Sequence, residues 1–149
     1  MWSFDQLIAL RHWIVLASIL FIFAAPGAHA QIVIVTANDS KVEQLSRDEA
    51  EQLYLGRRTA LSNRTPLMLI DLPPGESRNQ FYHLLTGKNP SQIRAYWSRM
   101  VFTGRAQPPK EAADTNDARR LLLENPGTLG YLPASFATDP SLRVLLRLE

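Results

Sequence analysis

The chain has 149 residues, with 16 basic and 14 acidic side chains for a formal net charge of +2, and no cysteine. No basic run or aromatic–basic interleaving breaks that balance, so there is no nucleic-acid footprint and no nucleic-acid partner is expected. The lack of cysteine excludes disulfides, cysteine metal ligands and a cysteine nucleophile, and leaves stability to packing.

The first thirty residues are expected to be a signal peptide. Arg11 and His12 precede an apolar run over 14–25, broken by Pro26 and Gly27, and Ala28-His29-Ala30 places small residues where a signal peptidase reads. At about a dozen residues the run falls short of the about 20 that span a bilayer, so cleavage near Ala30 is favoured over an uncleaved membrane anchor. No cysteine follows the run, so a lipoprotein anchor is not expected. Residues 31–149 then form one periplasmic or secreted domain, large enough for a real core. It holds twelve arginines and three lysines, a bias that suits an anionic ligand and that genome base composition explains equally well.

Residues 32–36 are β-branched and nearly continuous, as a central strand would be. Ala37-Asn-Asp-Ser40 ends them. Ser46 and Glu49 have capping-box spacing, which predicts a helix running through Leu53 and Leu55 to a stop at Gly56. A polar, turn-rich stretch over 57–66 leads to an apolar strand over 67–71, broken by Pro73, Pro74 and Gly75. Ser77 with Gln80 has capping-box spacing again, so a helix is expected from Arg78 to Thr86, with Gly87 past its end. Pro90-Ser91 opens a third helix, with Ile93, Tyr96, Trp97, Met100 and Val101 on one face as core. Residues 105–113 are expected to be a loop. Asp114 or Thr115 caps a fourth helix ending at Glu124, and strands follow over 129–132 and 142–148.

Strands separated by helices imply an α/β fold, a three-layer sandwich around a small mixed or parallel sheet. Ligands of such sheets sit at the carboxyl ends of strands, near helix N-termini. Two loops are expected there, Gly75 to Asn79 and Thr36 to Ser40. In the first, free N–H groups and the helix dipole favour an anion. Ser77 and Asn79 add neutral donors, and Arg78 adds a fork matched to phosphate or carboxylate.

Several segments together resemble the phosphate-binding proteins of the high-affinity phosphate ABC transporter. Leu45-Ser-Arg-Asp-Glu-Ala-Glu-Gln-Leu-Tyr-Leu-Gly56 resembles that family's "LSRDEL..IFLGK" segment. Ser77-Arg-Asn-Gln-Phe81 falls where the family has a serine-glycine-threonine loop followed by a Phe. Tyr96-Trp97 with Phe102-Thr-Gly104, Asn125-Pro-Gly-Thr-Leu-Gly-Tyr131 and the run over 142–148 resemble its "YW…F.G", "NPGAIGYV" and "VKVL" segments. The resemblance is nearest to short, single-domain proteins of this class. It implies a type II periplasmic-binding-protein-like fold reduced to about one lobe. It further implies binding of inorganic phosphate or a similar oxyanion, in association with transport or sensing. Two departures matter. A single lobe cannot enclose a ligand, so tight capture needs a partner or a homodimer. Glu76-Ser77-Arg78-Asn79 also replaces the serine-glycine-threonine loop, losing a glycine and adding a carboxylate that repels a fully ionised anion.

The expected ligand-binding residues are therefore Ser77, Arg78, Asn79 and Gly75, with Ser40 or Asn38 and Arg105 as weaker candidates. The alternative is a ligand-free interaction module docking on a periplasmic sensor, transporter or channel, with an apolar patch at the ends of the 129–132 and 142–148 strands. No enzymatic activity, cofactor or metal is expected. After residue 30 the chain has one histidine, His83, on the outer side of its helix, and no carboxylate pair is placed for acid–base work.

Overall fold

The computed structural model describes residues 31–61 and 67–149. The expected signal peptide over 1–30, and residues 62–66 of the polar stretch, lie outside the described residues.

The first strand, β1 (Ile32–Ala37), is buried along its whole length, as its unbroken β-branched run requires. The first helix, α1 (Arg47–Tyr54), starts at the Ser46–Glu49 capping box, with both reciprocal bonds formed. After its C-cap, Gly56 turns the chain at φ 65°, and a Cβ there would lie 2.8 Å from Ala106 Cβ and 2.9 Å from Trp97. Glycine is thus required at Gly56 both for its left-handed backbone and for space. The next elements are β2 (Met68–Asp71), α2 (Glu76–Thr86) and α3 (Pro90–Phe102). The chain ends with β3 (Lys110–Glu111), α4 (Thr115–Glu124), β4 (Thr128–Pro133), a 3-10 turn (Ala134–Phe136) and β5 (Leu142–Leu148).

The five strands form one mixed sheet in the order β3-β2-β4-β1-β5. β2 runs parallel to both β3 and β4, whereas β1 runs antiparallel to both β4 and β5. Helices cover both faces, which gives the expected three layers. Gly130 on β4 faces α4, where a Cβ would come within 3.1 Å of Leu122. Its neighbour Tyr131 points the other way, stacking on Phe81 of α2 with centroids 3.6 Å apart and meeting Tyr54 of α1 edge-on. The alternation of side chains along a strand therefore sorts the aromatic core to one face and an aliphatic layer to the other. Tyr96 of α3 joins this assembly by donating a 2.6 Å hydrogen bond to the Leu55 carbonyl at the end of α1.

Four expectations need correction. The helix expected from Arg78 starts two residues earlier, at Glu76, and Ser77 is not its N-cap: Gly75 holds that position with no side-chain cap. The Asn79 N–H closes the first turn on the Gly75 carbonyl, so Ser77 already lies inside the helix. α3 does have a capping box, but its members are Asn89 and Gln92. On its core face Ile93 and Trp97 are buried, whereas Val101 is 43% exposed because it faces the open space between α2 and α3. The stretch read as loop over 105–113 contains β3, whose two exposed, charged residues carry no strand pattern.

Candidate functional site

β2 ends on Asp71, and this residue organises the carboxyl edge of the sheet. Only 1% of it is exposed. Tyr131, alongside it on the parallel neighbour β4, donates a short hydrogen bond to Oδ1. The Tyr131 oxygen in turn accepts the Leu72 N–H at 3.1 Å. Tyr82 of α2 donates to Oδ2 at 3.0 Å. Arg78 lies one helical turn before Tyr82, so both side chains fall on the same stripe of α2. Its guanidinium reaches Asp71 Oδ2 at 3.1 Å and Glu111 Oε2 at 3.0 Å. Asp71 and Glu111 are register partners across β2 and β3. One fork therefore bridges two strands, and it also packs near the Tyr82 ring.

Burial pushes the Asp71 carboxyl above its ordinary range, opposed by the Tyr131 hydrogen bond, the Arg78 charge, and the bonds from Tyr82 and the Leu72 N–H. Burial, reinforced by the Asp71 charge, holds the Tyr131 and Tyr82 hydroxyls well above the usual tyrosine value. Both remain protonated donors. Sequence reasoning missed Asp71, Glu111, Tyr82 and Tyr131 as members of this edge. The one available signal was a carboxylate closing an apolar strand just before two prolines.

The structure brings together Gly75, Ser77, Arg78 and Asn79 at this edge, in the turn between β2 and α2 and the first turn of the helix. The side chains of Ser77 and Asn79 have no hydrogen-bond partner among the described residues, and both are half-buried. The space beside Gly75 is open, its nearest obstacle being the Pro73 carbonyl at 3.9 Å. Arg78 is less free than expected, because two carboxylates already answer its charge.

Ser40 and Arg105 do not join them. Because β1 runs against β4, its carboxyl end lies beside the amino end of β2, so residues 36–40 sit at the opposite edge of the sheet. There Ser40 Oγ accepts the Val42 N–H at 3.2 Å, and Arg143 donates to the Asn38 and Val42 carbonyls. Arg105 follows Gly104 in an exposed turn, its N–H bonded to the Met100 carbonyl. His83 is exposed, as expected.

Next to the α2 N-terminus, a groove of about 680 Å³ opens between α2 and α3, with Arg78, Asn79 and Tyr82 on one side and Ile93, Arg94 and Trp97 on the other. Trp97 is 7% exposed, and its indole N–H has no acceptor among the described residues.

No family model matches the chain, and no curated protein does. Solved structures do. A protein assigned to the phosphate ABC transporter substrate-binding class, from Clostridium perfringens and with bound phosphate, superposes with a TM-score of 0.59 at 16% identity, over 77% of this chain and 44% of that one. An ABC-type phosphate transport receptor from Vibrio cholerae gives 0.60 at 15% identity, over 77% and 45%. A possible phosphate-binding protein from Planctomyces limnophilus gives 0.57 at 15%, over 77% and 40%. The chain has a substrate-binding-protein fold, about one lobe of it. At these identities the likeness concerns the fold alone. The chain spans less than half the length of the binding proteins it superposes on, and its five-stranded mixed sheet corresponds to a single lobe of this binding-protein fold.

Proposed function

We propose that the chain is an extracytoplasmic solute-binding-like protein that takes phosphate or another small oxyanion at the N-terminus of α2, in association with a membrane transporter or sensor. The observation that carries this reading is the pair of unpartnered donors, Ser77 and Asn79, in the first turn of a helix entered from the carboxyl end of a parallel strand. Free N–H groups and the helix dipole favour an anion at that point. The fold shared with proteins described as phosphate-binding supports the same reading. Local charge narrows the ligand. Arg78 is answered by Asp71 and Glu111, and Glu76 stands in the same turn. A singly charged or protonated oxyanion therefore fits better than a fully ionised one. No catalytic role belongs to this reading, and one lobe leaves the far side of the ligand to a second surface.

The test is a thermal-shift series with phosphate, sulfate, phosphonate and chloride at matched ionic strength. A ligand at about 100 times its Kd adds about 2.7 kcal/mol, a rise of several degrees for a domain of this size. The shift should be specific to one oxyanion and should disappear in Ser77→Ala and Asn79→Ala. Both side chains are without internal partners, so their loss leaves the fold alone, whereas Arg78→Ala would disturb Asp71 as well. No rise at millimolar oxyanion would sink the proposal.

A further inference from the structure

The α2–α3 groove has an unusual border. From Lys88 to Lys110 the chain carries five basic residues and no acidic one. Of these, Arg94 lines the groove, whereas Lys88 and Arg99 line a separate pocket with Gln92 and Tyr96, and Arg94 makes no ion pair among the described residues. Arg94 stands on the groove itself, held only by a 3.0 Å bond to Ser91 Oγ on its own helix. The other groove cation, Arg78, is already matched by Asp71 and Glu111, so Arg94 is the one open to an incoming charge.

The apolar side of the border is equally exposed. Phe102, at the C-terminal end of α3, is 92% exposed, and its neighbour Val101 is 43% exposed. Both line the groove together with buried Trp97. α3 has 13 residues, so the groove beside it has about 20 Å of helix to follow. An occupant that satisfies this surface needs apolar side chains to cover Phe102, Val101 and the Trp97 wall. It also needs a carboxylate to answer Arg94.

We infer that the α2–α3 groove is a docking site for an acidic amphipathic segment of a partner protein, laid along α3 with its apolar face inward. The segment is recognised by the helix-in-groove mode, with apolar anchors for affinity and carboxylates for specificity. Asn79 stands where the groove meets the α2 N-terminus, so the docking surface adjoins the proposed oxyanion site, but it is carried by α3 and does not depend on an oxyanion being bound.

The experiment is fluorescence anisotropy on the purified protein with a labelled amphipathic peptide of about four turns, leucines on one face and glutamates on its flanks. A twin with lysine at every glutamate is the control. The acidic peptide should bind at least about tenfold more tightly than its twin and weaken as salt is raised. Phe102→Ser and Arg94→Glu should each reduce its affinity by about tenfold, while Ser77→Ala leaves it unchanged. Equal binding of the two peptides, or no effect of either groove substitution, overturns the proposal. So does capture of anionic vesicles in place of the peptide, or a self-association lost in Phe102→Ser, because each gives the groove a different occupant.

Discussion

Arg78 on α2 and Arg94 on α3 line the same groove, yet their surroundings are opposite. Arg78 reaches two carboxylates that belong to adjacent strands, and behind them two tyrosine hydroxyls complete the coordination of Asp71. Arg94 reaches one serine on its own helix. The first arginine is consumed in joining α2 to the edge of the sheet. The second is left in solvent beside exposed Phe102 and Val101. A count of arginines does not separate the two cases, and an arginine beside a helix N-terminus is not thereby a ligand cation. What separates them is whether the fold brings a carboxylate within reach.

The sharpest way to break this contrast is at Asp71. Asp71→Ala leaves Arg78 with only Glu111, and leaves the buried Tyr82 and Tyr131 hydroxyls without their acceptor. The expected loss is about 3 kcal/mol, because removing one member of a buried pair strands the others. Chemical denaturation measures it, and a loss below about 1 kcal/mol would mean that solvent already reaches this edge. A smaller effect comes from protonation. Asp71 has a raised pKa in the folded chain, so the native state holds more protons than the unfolded one from about pH 4 up to that raised value. The stability due to Asp71 therefore falls as pH rises through that window. In Asp71→Asn this dependence is gone, so the advantage of the wild type over the variant should shrink as pH is raised from about 4 to about 7. An advantage that grows instead would show that Arg78 and the tyrosines outweigh burial. The smallest effect belongs to α3. Phe102→Ser should change stability by no more than about 0.5 kcal/mol, since the ring is almost wholly in solvent. A larger loss would place Phe102 with the core, on the same footing as Arg78.

Much of the fold was legible because local chemistry and tertiary role agree. The Ser46 capping box, the continuous β-branched run of β1 and the turn at Asn125-Pro-Gly127 each mark an element that the structure contains. The direction of β1 was not legible. A buried strand reads the same whether it runs parallel or antiparallel to its neighbours, and the misplaced expectation for Ser40 follows from that. Nor was β3 legible, since its two charged residues become a strand only through pairing with β2. At the site, the helix N-terminus was visible but the fate of Arg78 was not. Glu111 is 33 residues away, and only the register of β2 with β3 brings it near. The apolar patch expected at the strand ends is found mainly at the end of α3, although Phe136, just after β4, is also 40% exposed. The stripe of Ile93, Trp97 and Val101 reads as one buried face, and nothing local says that its last residue opens onto the groove.

The order in which β1 finds its neighbours has a consequence for how the chain folds. Ile32 pairs with Pro133 on one side and with Leu148 on the other, so this central strand sits between two segments about 100 residues further along. Both closures cost loop entropy before they return any pairing, which makes the topology slow to fold. β1 is the first described strand to leave the ribosome, and β5, which flanks it, is the last. Until residues 142–148 are available the sheet lacks one of its edges and β1 has one side unpaired. The full five-stranded sheet can therefore form only after residues 142–148 have been made, so β1 is paired on both sides later than it is synthesised by more than 100 residues.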